Sequence, residues 1–126
     1  MLETIPLLHI ILLLVCHYVS DFHFQTNKMA INKSTSSKWL TIHVLVYIYP
    51  FAVLYAFFMF FGIIDYVAFY VIIVANFALH WITDYVTSRI TSYYYKNEKR
   101  SAFLKTIGAD QLIHGICIFA IHASFI

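Results

Sequence analysis

YVAFYVIIVANFALHWITDYVT, the stretch Tyr66–Thr87, carries a single formal charge, Asp84. A helix needs about 20 consecutive apolar residues to cross the hydrocarbon core of a bilayer. This stretch meets that length, with Gly62 and Asp65 before it and a cationic segment from Arg89 after it. It reads as a membrane span, and it holds His80 and Asp84 inside it.

Three further apolar runs flank it, at about residues 5–22, 39–61 and 103–125. The predicted fold is all-α: an integral membrane four-helix bundle forming one transmembrane domain over residues 1–126, with no room for a soluble domain. Composition agrees, because 62% of the chain is hydrophobic and 11% charged, whereas water-soluble domains run to about a quarter charged. Thr4 is the expected N-cap of the first span and Pro6 fits its first turn. No basic segment precedes that run, so it is expected to be a retained helix and not a cleaved signal. Pro50 is expected to bend the second span. The connections are read as a polar loop over 23–38, a tight turn at Gly62–Asp65 and a tyrosine-rich basic loop over 89–102.

Every cation falls in two places. Lys28, Lys33 and Lys38 follow the first span, and Arg89, Lys96, Lys99, Arg100 and Lys105 follow the third. The positive-inside rule puts both segments in the cytoplasm and both termini outside, in a bacterial inner membrane, with Trp39 and the loop tyrosines as an interfacial belt. The halves also match: His17-xxx-Asp21-Phe22 and His80-xxx-Asp84-Tyr85 each precede a basic connection and a returning helix with its own histidine, His43 or His114. This pattern predicts two parallel helical-hairpin repeats related by an axis along the membrane normal.

The chemistry lies in the pairs His17/Asp21, His80/Asp84 and Asp110/His114, each four residues apart and so on one helical face. An ionised Asp at the centre of a span costs about 2.5–3.5 kcal/mol on insertion scales, so these groups must face inward and be neutralised. Imidazole and carboxylate together suit a divalent metal, Zn²⁺ foremost, with Mn²⁺ or Fe²⁺ as alternatives. The expected ligands are His17, Asp21, His80, Asp84 and His114, with Asp110 or His43 as general base. With His43 and Asp110 there are seven potential donors, which exceeds the four of one zinc and leaves one or two ions open. The competing reading is a metal-free His/Asp network that fixes helix register or relays protons.

Gln111 and Asn76 read as helix–helix hydrogen bonders, Cys16 and Cys117 as packed thiols, and His23 as solvated. His9 and His122, toward the outer ends of their spans, read as interhelical hydrogen bonders or as the continuation of a path across the membrane. The segment Phe24–Ser34 carries Gln25, Lys28 and Lys33 around an apolar Met-Ala-Ile insert. It is expected either to dock a phosphate headgroup while the insert enters lipid or to be an ordinary positive-inside anchor.

The residues His17-xxx-Asp21-Phe-x-Phe-Gln25-xxx-Met29-Ala30-xx-Lys33, His43, His80-xxx-Asp84 and Gly108-x-Asp110-Gln111-xx-His114 resemble an uncharacterised family. It is a domain of unknown function found in short membrane proteins of bacteria and their phages. More weakly, the chain is similar to bacterial inner-membrane proteins regarded as metal-dependent hydrolases, which carry intramembrane His and Asp. The second resemblance implies hydrolytic chemistry at the same residues.

The leading expectation is a metal-dependent membrane hydrolase acting on a lipid-linked or phosphate-bearing substrate at the cytoplasmic leaflet, with membrane lipids as partners. The alternatives are a homo-oligomeric metal-ion or proton transporter or channel, and a non-catalytic membrane protein with a structural His/Asp core. No P-loop, GxSxG, HExxH or dinucleotide fingerprint is present, and the cations are too few for a nucleic-acid groove.

Overall fold

The computed structural model describes residues 6–126. Thr4 and the first residue of the expected first span, Ile5, lie outside the described residues. Helix α1 runs Leu7–Tyr18 and continues as a π-helical turn over Val19–His23; α2 is Asn27–Asn32, α3 Ser37–Phe60, α4 Tyr66–Lys96 and α5 Arg100–Ala123. The chain is an all-α bundle. Helix α4 packs against α3 and α5, α1 closes the ring against the same two, and α2 lies on α3.

Local sequence explains where these helices begin. The side chains of Thr26, Ser36 and Asp65 accept hydrogen bonds from the backbone N–H of Met29, Trp39 and Ala68, capping α2, α3 and α4. Asp65, the one aspartate outside the expected site, is spent on a cap. Gly62, at φ 71°, supplies the left-handed residue that turns α3 into α4.

Three boundaries differ from the expectation. Residues 23–38 are not a plain loop, because α2 is folded within them. Helix α4 does not end at Thr87; nine more residues, 88–96, continue it by about 13 Å. Hydropathy falls there, but nothing in Ser88–Lys96 breaks a helix, so the expected basic loop of 89–102 shrinks to Asn97–Lys99. Helix α5 accordingly starts at Arg100 and not Phe103. Helix α3 passes Pro50 without interruption.

Helices α3, α4 and α5 are each long and apolar enough to cross a membrane. The α1 helix with its π turn, Leu7–His23, is shorter, at 17 residues, and spans about 25 Å. Large apolar side chains cover the outside, among them Leu14, Leu45, Val53, Val74, Ile82 and Leu112, as a lipid-facing surface requires.

The interior is layered. At four-residue spacing α1 carries His9-Leu13-His17, α3 carries Tyr47-Phe51-Tyr55 and α5 carries His114-Ile118-His122. Leu13, Phe51 and Ile118 belong, with Ile72 of α4, to one buried apolar cluster. That layer, about one helical turn thick, divides a polar centre at the basic end from a small polar group at the other end.

Candidate metal centre

Each helix delivers its polar groups for a local reason. On α4, Asn76, His80, Asp84 and Thr87 follow at i+4, i+4 and i+3, and all four are buried in one stripe. On α1 the π turn, closed by a Phe24 N–H to Val19 C=O bond of 3.1 Å, turns both Ser20 and Asp21 inward. Such π turns recur at functional sites because the extra residue re-aims a side chain. His43 and Tyr47 lie one turn apart on α3, and both are fully buried.

Four donors converge. His43 Nε2 lies 3.2 Å from Asp21 Oδ1 and 3.1 Å from Asp84 Oδ2. His80 Nε2 lies 3.7 Å from Asp21 Oδ1, 3.6 Å from Asp84 Oδ2 and 3.3 Å from His43 Nε2. A tetrahedral ion with bonds of about 2.0–2.1 Å requires donor–donor edges of about 3.3–3.4 Å. Five edges of this tetrahedron fall within 0.4 Å of that range. Pairwise hydrogen bonds explain the arrangement poorly. His43 Nε2 has at most one proton yet faces three partners, and among the described residues Asp21 Oδ1 makes no hydrogen bond of good geometry. Donors aimed at a common point are what a cation needs.

A second group adjoins it. Asp21, Asp110 and His114 also bring donor atoms within reach of one ion. His114 Nε2 lies 3.3 Å from Asp110 Oδ1 and 3.0 Å from Asp84 Oδ1. Asp110 also accepts a hydrogen bond from the Thr87 hydroxyl. The His80 ring is held by stacking instead of a second hydrogen bond: Tyr47 lies against one face at 3.6 Å and His114 stacks on it at 4.1 Å. Among the described residues, the Nδ1 atoms of His43 and His80 have no partner.

Gln111 organises the edge of the centre. Its amide N–H₂ donates to Asp21 Oδ2 and Asp110 Oδ2, both at 3.1 Å. That orientation leaves its carbonyl facing His17 Nε2 at 2.9 Å, so His17 must carry its proton on Nε2 and donate it. His17, expected as a ligand, thus stands outside the four-donor set, 3.9 Å from Asp21 Oδ2. Its Nδ1 faces the Tyr47 hydroxyl at 3.4 Å. His43, expected as a general base, stands inside the set.

The candidate substrate residues separate. Lys33, at the C-terminal end of α2, reaches inward and donates to Asp84 Oδ2 at 2.8 Å. Burial alone would lower its pKa, but the Asp84 and Asp21 carboxylates outweigh that and hold it above the ordinary lysine value. Gln25 lines a cavity of about 530 Å³ whose wall also includes Asp21, Asp84, Asp110, Lys33 and Lys96. Lys28 is exposed and sits over the Trp39 ring at 4.9 Å.

Sequence reasoning missed the roles of Tyr47 and Thr87 and underrated Gln111. The available signal was register: Tyr47 is one turn from His43, Thr87 nearly one from Asp84, and Gln111 adjoins Asp110. At the far end, His9 Nδ1 lies 3.1 Å from His122 Nε2, and the Tyr55 hydroxyl 3.0 Å from His122 Nδ1. These are interhelical bonds, one of the two readings offered for that pair.

Fold and site together define a helical bundle with spans fit for a membrane and a buried His₂Asp₂ donor set against a cavity. The chain belongs to the protein family of unknown function DUF3307, whose model matches residues 9–126. Comparison with curated proteins and with solved structures gives no match.

Proposed function

We propose that this protein is a metal-dependent membrane hydrolase acting on a lipid-linked, phosphate-bearing substrate at the cytoplasmic face of a bacterial inner membrane. The observation that carries this reading is the shared cavity. The carboxylates of Asp21 and Asp84, half of the four-donor set, lie in the same cavity wall as Lys33, Lys96 and Gln25. A substrate in that cavity would meet the ion from its carboxylate side while the histidines hold it from behind.

A bound divalent ion would lower the pKa of a water and polarise a phosphoryl oxygen. Zinc would admit that water by expanding beyond four donors, and manganese or iron by its preference for more ligands. Asp110, beside the donor set and in the cavity wall, would take the water's proton as the oxygen attacks phosphorus. The ester P–O bond breaks, and the departing alkoxide recovers the proton from Asp110, so one water is consumed per ester. Lys96 at the rim, and Lys33 when released from Asp84, would neutralise the phosphate. Phe22, Ile31 and Phe103 line the same cavity and suit the apolar part of an amphiphile.

The layer of Leu13, Phe51, Ile72 and Ile118 favours one-sided chemistry over a transport path, because it separates the centre from His9 and His122. The test is elemental mass spectrometry on detergent-purified protein, wild type beside His80→Ala and Asp84→Ala, followed by hydrolysis assays on phospholipid esters. Stoichiometric metal lost in both variants is expected. Turnover should vanish in Thr91→Trp, which fills the cavity and leaves the metal in place. A folded, metal-supplemented wild type that binds no ion would refute the reading.

A further inference from the structure

We infer that the centre holds two divalent ions, with Asp21 shared between them. This rests on the metal reading above and extends it. The first ion takes the His43, His80, Asp21 and Asp84 set. The second lies on the α5 side, among Asp21, Asp110 and His114, with Asp84 Oδ1 facing His114 beside it.

The carboxylates carry the argument. Asp84 points its two oxygens to different groups: Oδ2 faces His43 and His80 at 3.1 and 3.6 Å, and Oδ1 faces His114 at 3.0 Å. Asp21 belongs to both donor groups. A carboxylate that belongs to two adjoining donor sets, as Asp21 does, is placed to bridge paired ions about 3.5–4 Å apart. The same proton shortage recurs on the second side. His114 Nε2 has at most one proton and faces carboxylate oxygens of both Asp84 and Asp110, at 3.0 and 3.3 Å.

Charge is consistent with this only if Lys33 moves. The three aspartates bring three negative charges into the bundle. Lys33 supplies one positive charge, and one divalent ion would complete neutrality. Two divalent ions leave an excess of one, which a single hydroxide derived from water removes, and the Lys33 ammonium is then surplus beside Asp84 Oδ2. The second ion therefore releases Lys33 into the cavity, where it meets the substrate phosphate. It also changes the task of Asp110 from proton acceptor to ligand. The attacking water then loses its proton to solvent when the metals load, and the leaving alkoxide is protonated by water.

The experiment is metal titration of chelator-stripped protein with Mn²⁺ in detergent. Bound ions per chain are counted after equilibrium dialysis, and the loaded sample is examined by electron paramagnetic resonance. Two ions per chain with an exchange-coupled signal are expected in wild type, and one uncoupled ion in Asp110→Asn. One uncoupled ion in saturated wild type would overturn the second site and leave the hydrolase reading standing; no ion would overturn both. Two ions retained in Asp110→Asn would overturn the assigned ligand set. The wild-type spectrum decides the matter even if the variant fails to fold.

Discussion

Replacing Lys33 with Met tests whether the ammonium stands in for a metal cation. Its Nζ sits 2.8 Å from Asp84 Oδ2, with the lysine side chain 16% and the aspartate 2% exposed. Removing one partner of a buried ion pair costs about 3–5 kcal/mol, because the other charge is left uncompensated. The partial exposure of Lys33 points to the lower figure. Metal-free Lys33→Met should therefore lose about 3 kcal/mol, on the order of 10 °C in Tm for a chain of this size. Lysine has an ordinary pKa of 10.5, and here it is raised. The ion pair's stability is fully present below that value and lost as pH rises through the raised one, so the deficit should persist at pH 9. A divalent ion reverses the situation. In wild type it would compete with the ammonium for Asp84 Oδ2; in the variant it would not. Metal affinity in Lys33→Met should rise on the order of 100-fold, the same 3 kcal/mol expressed as binding. The assay is thermal unfolding by circular dichroism in detergent, with and without metal, alongside dialysis binding. Equal metal-induced stabilisation of both proteins, or a metal-free variant as stable as wild type, would refute the reasoning.

Gln111→Leu should keep the donor set but lose the amide that ties Asp21, Asp110 and His17 together; outer partners of this kind are worth about 10–100-fold in metal affinity, which dialysis would read directly. Tyr55→Phe removes the hydroxyl beside His122 and should cost about 0.5–1.5 kcal/mol of stability. Metal content and turnover should stay unchanged, and a loss of either would mean that the outer group communicates with the centre.

Much of the fold could be read from hydropathy, because a span must be apolar along its whole length and Tyr66–Thr87 is. Hydropathy reports where lipid ends, not where a helix ends. That is why hydropathy places the continuation of α4 over Arg89–Lys96 in a loop, and why α2, six residues long and mixed in polarity, leaves no periodic trace. The site was legible to the extent that four-residue spacing is. His80/Asp84 and Asp110/His114 come together as their pairing implies. His17 and Asp21 stand 3.9 Å apart, short of a hydrogen bond, because Asp21 lies within the π turn that follows α1 and is re-aimed by it, and no local residue signals that turn. Lys33 reads as a surface cation because no one-dimensional pattern shows α2 folding back to deliver its ammonium 51 positions along the chain, to Asp84.

The layering of the bundle bears on what kind of chemistry is possible. A conduction path needs polar or wet contacts through the full thickness of the membrane, since a proton or metal ion in hydrocarbon lacks its solvation. Here each polar histidine of the outer group is separated from the centre by one aliphatic or aromatic side chain at helical spacing: Leu13 between His9 and His17, Ile118 between His114 and His122. Leu13, Phe51 and Ile72 have no exposed surface at all. Such a layer does opposite things for the two functions. It would block transport, and it would lower the dielectric behind a catalytic ion, strengthening every charge interaction on the cavity side. Inserting a polar group there, as in Leu13→Asn, should therefore weaken metal binding at the centre without creating ion flux in reconstituted vesicles. Flux in wild-type vesicles, abolished by Phe51→Trp, would instead make the layer a gate and the transport reading correct.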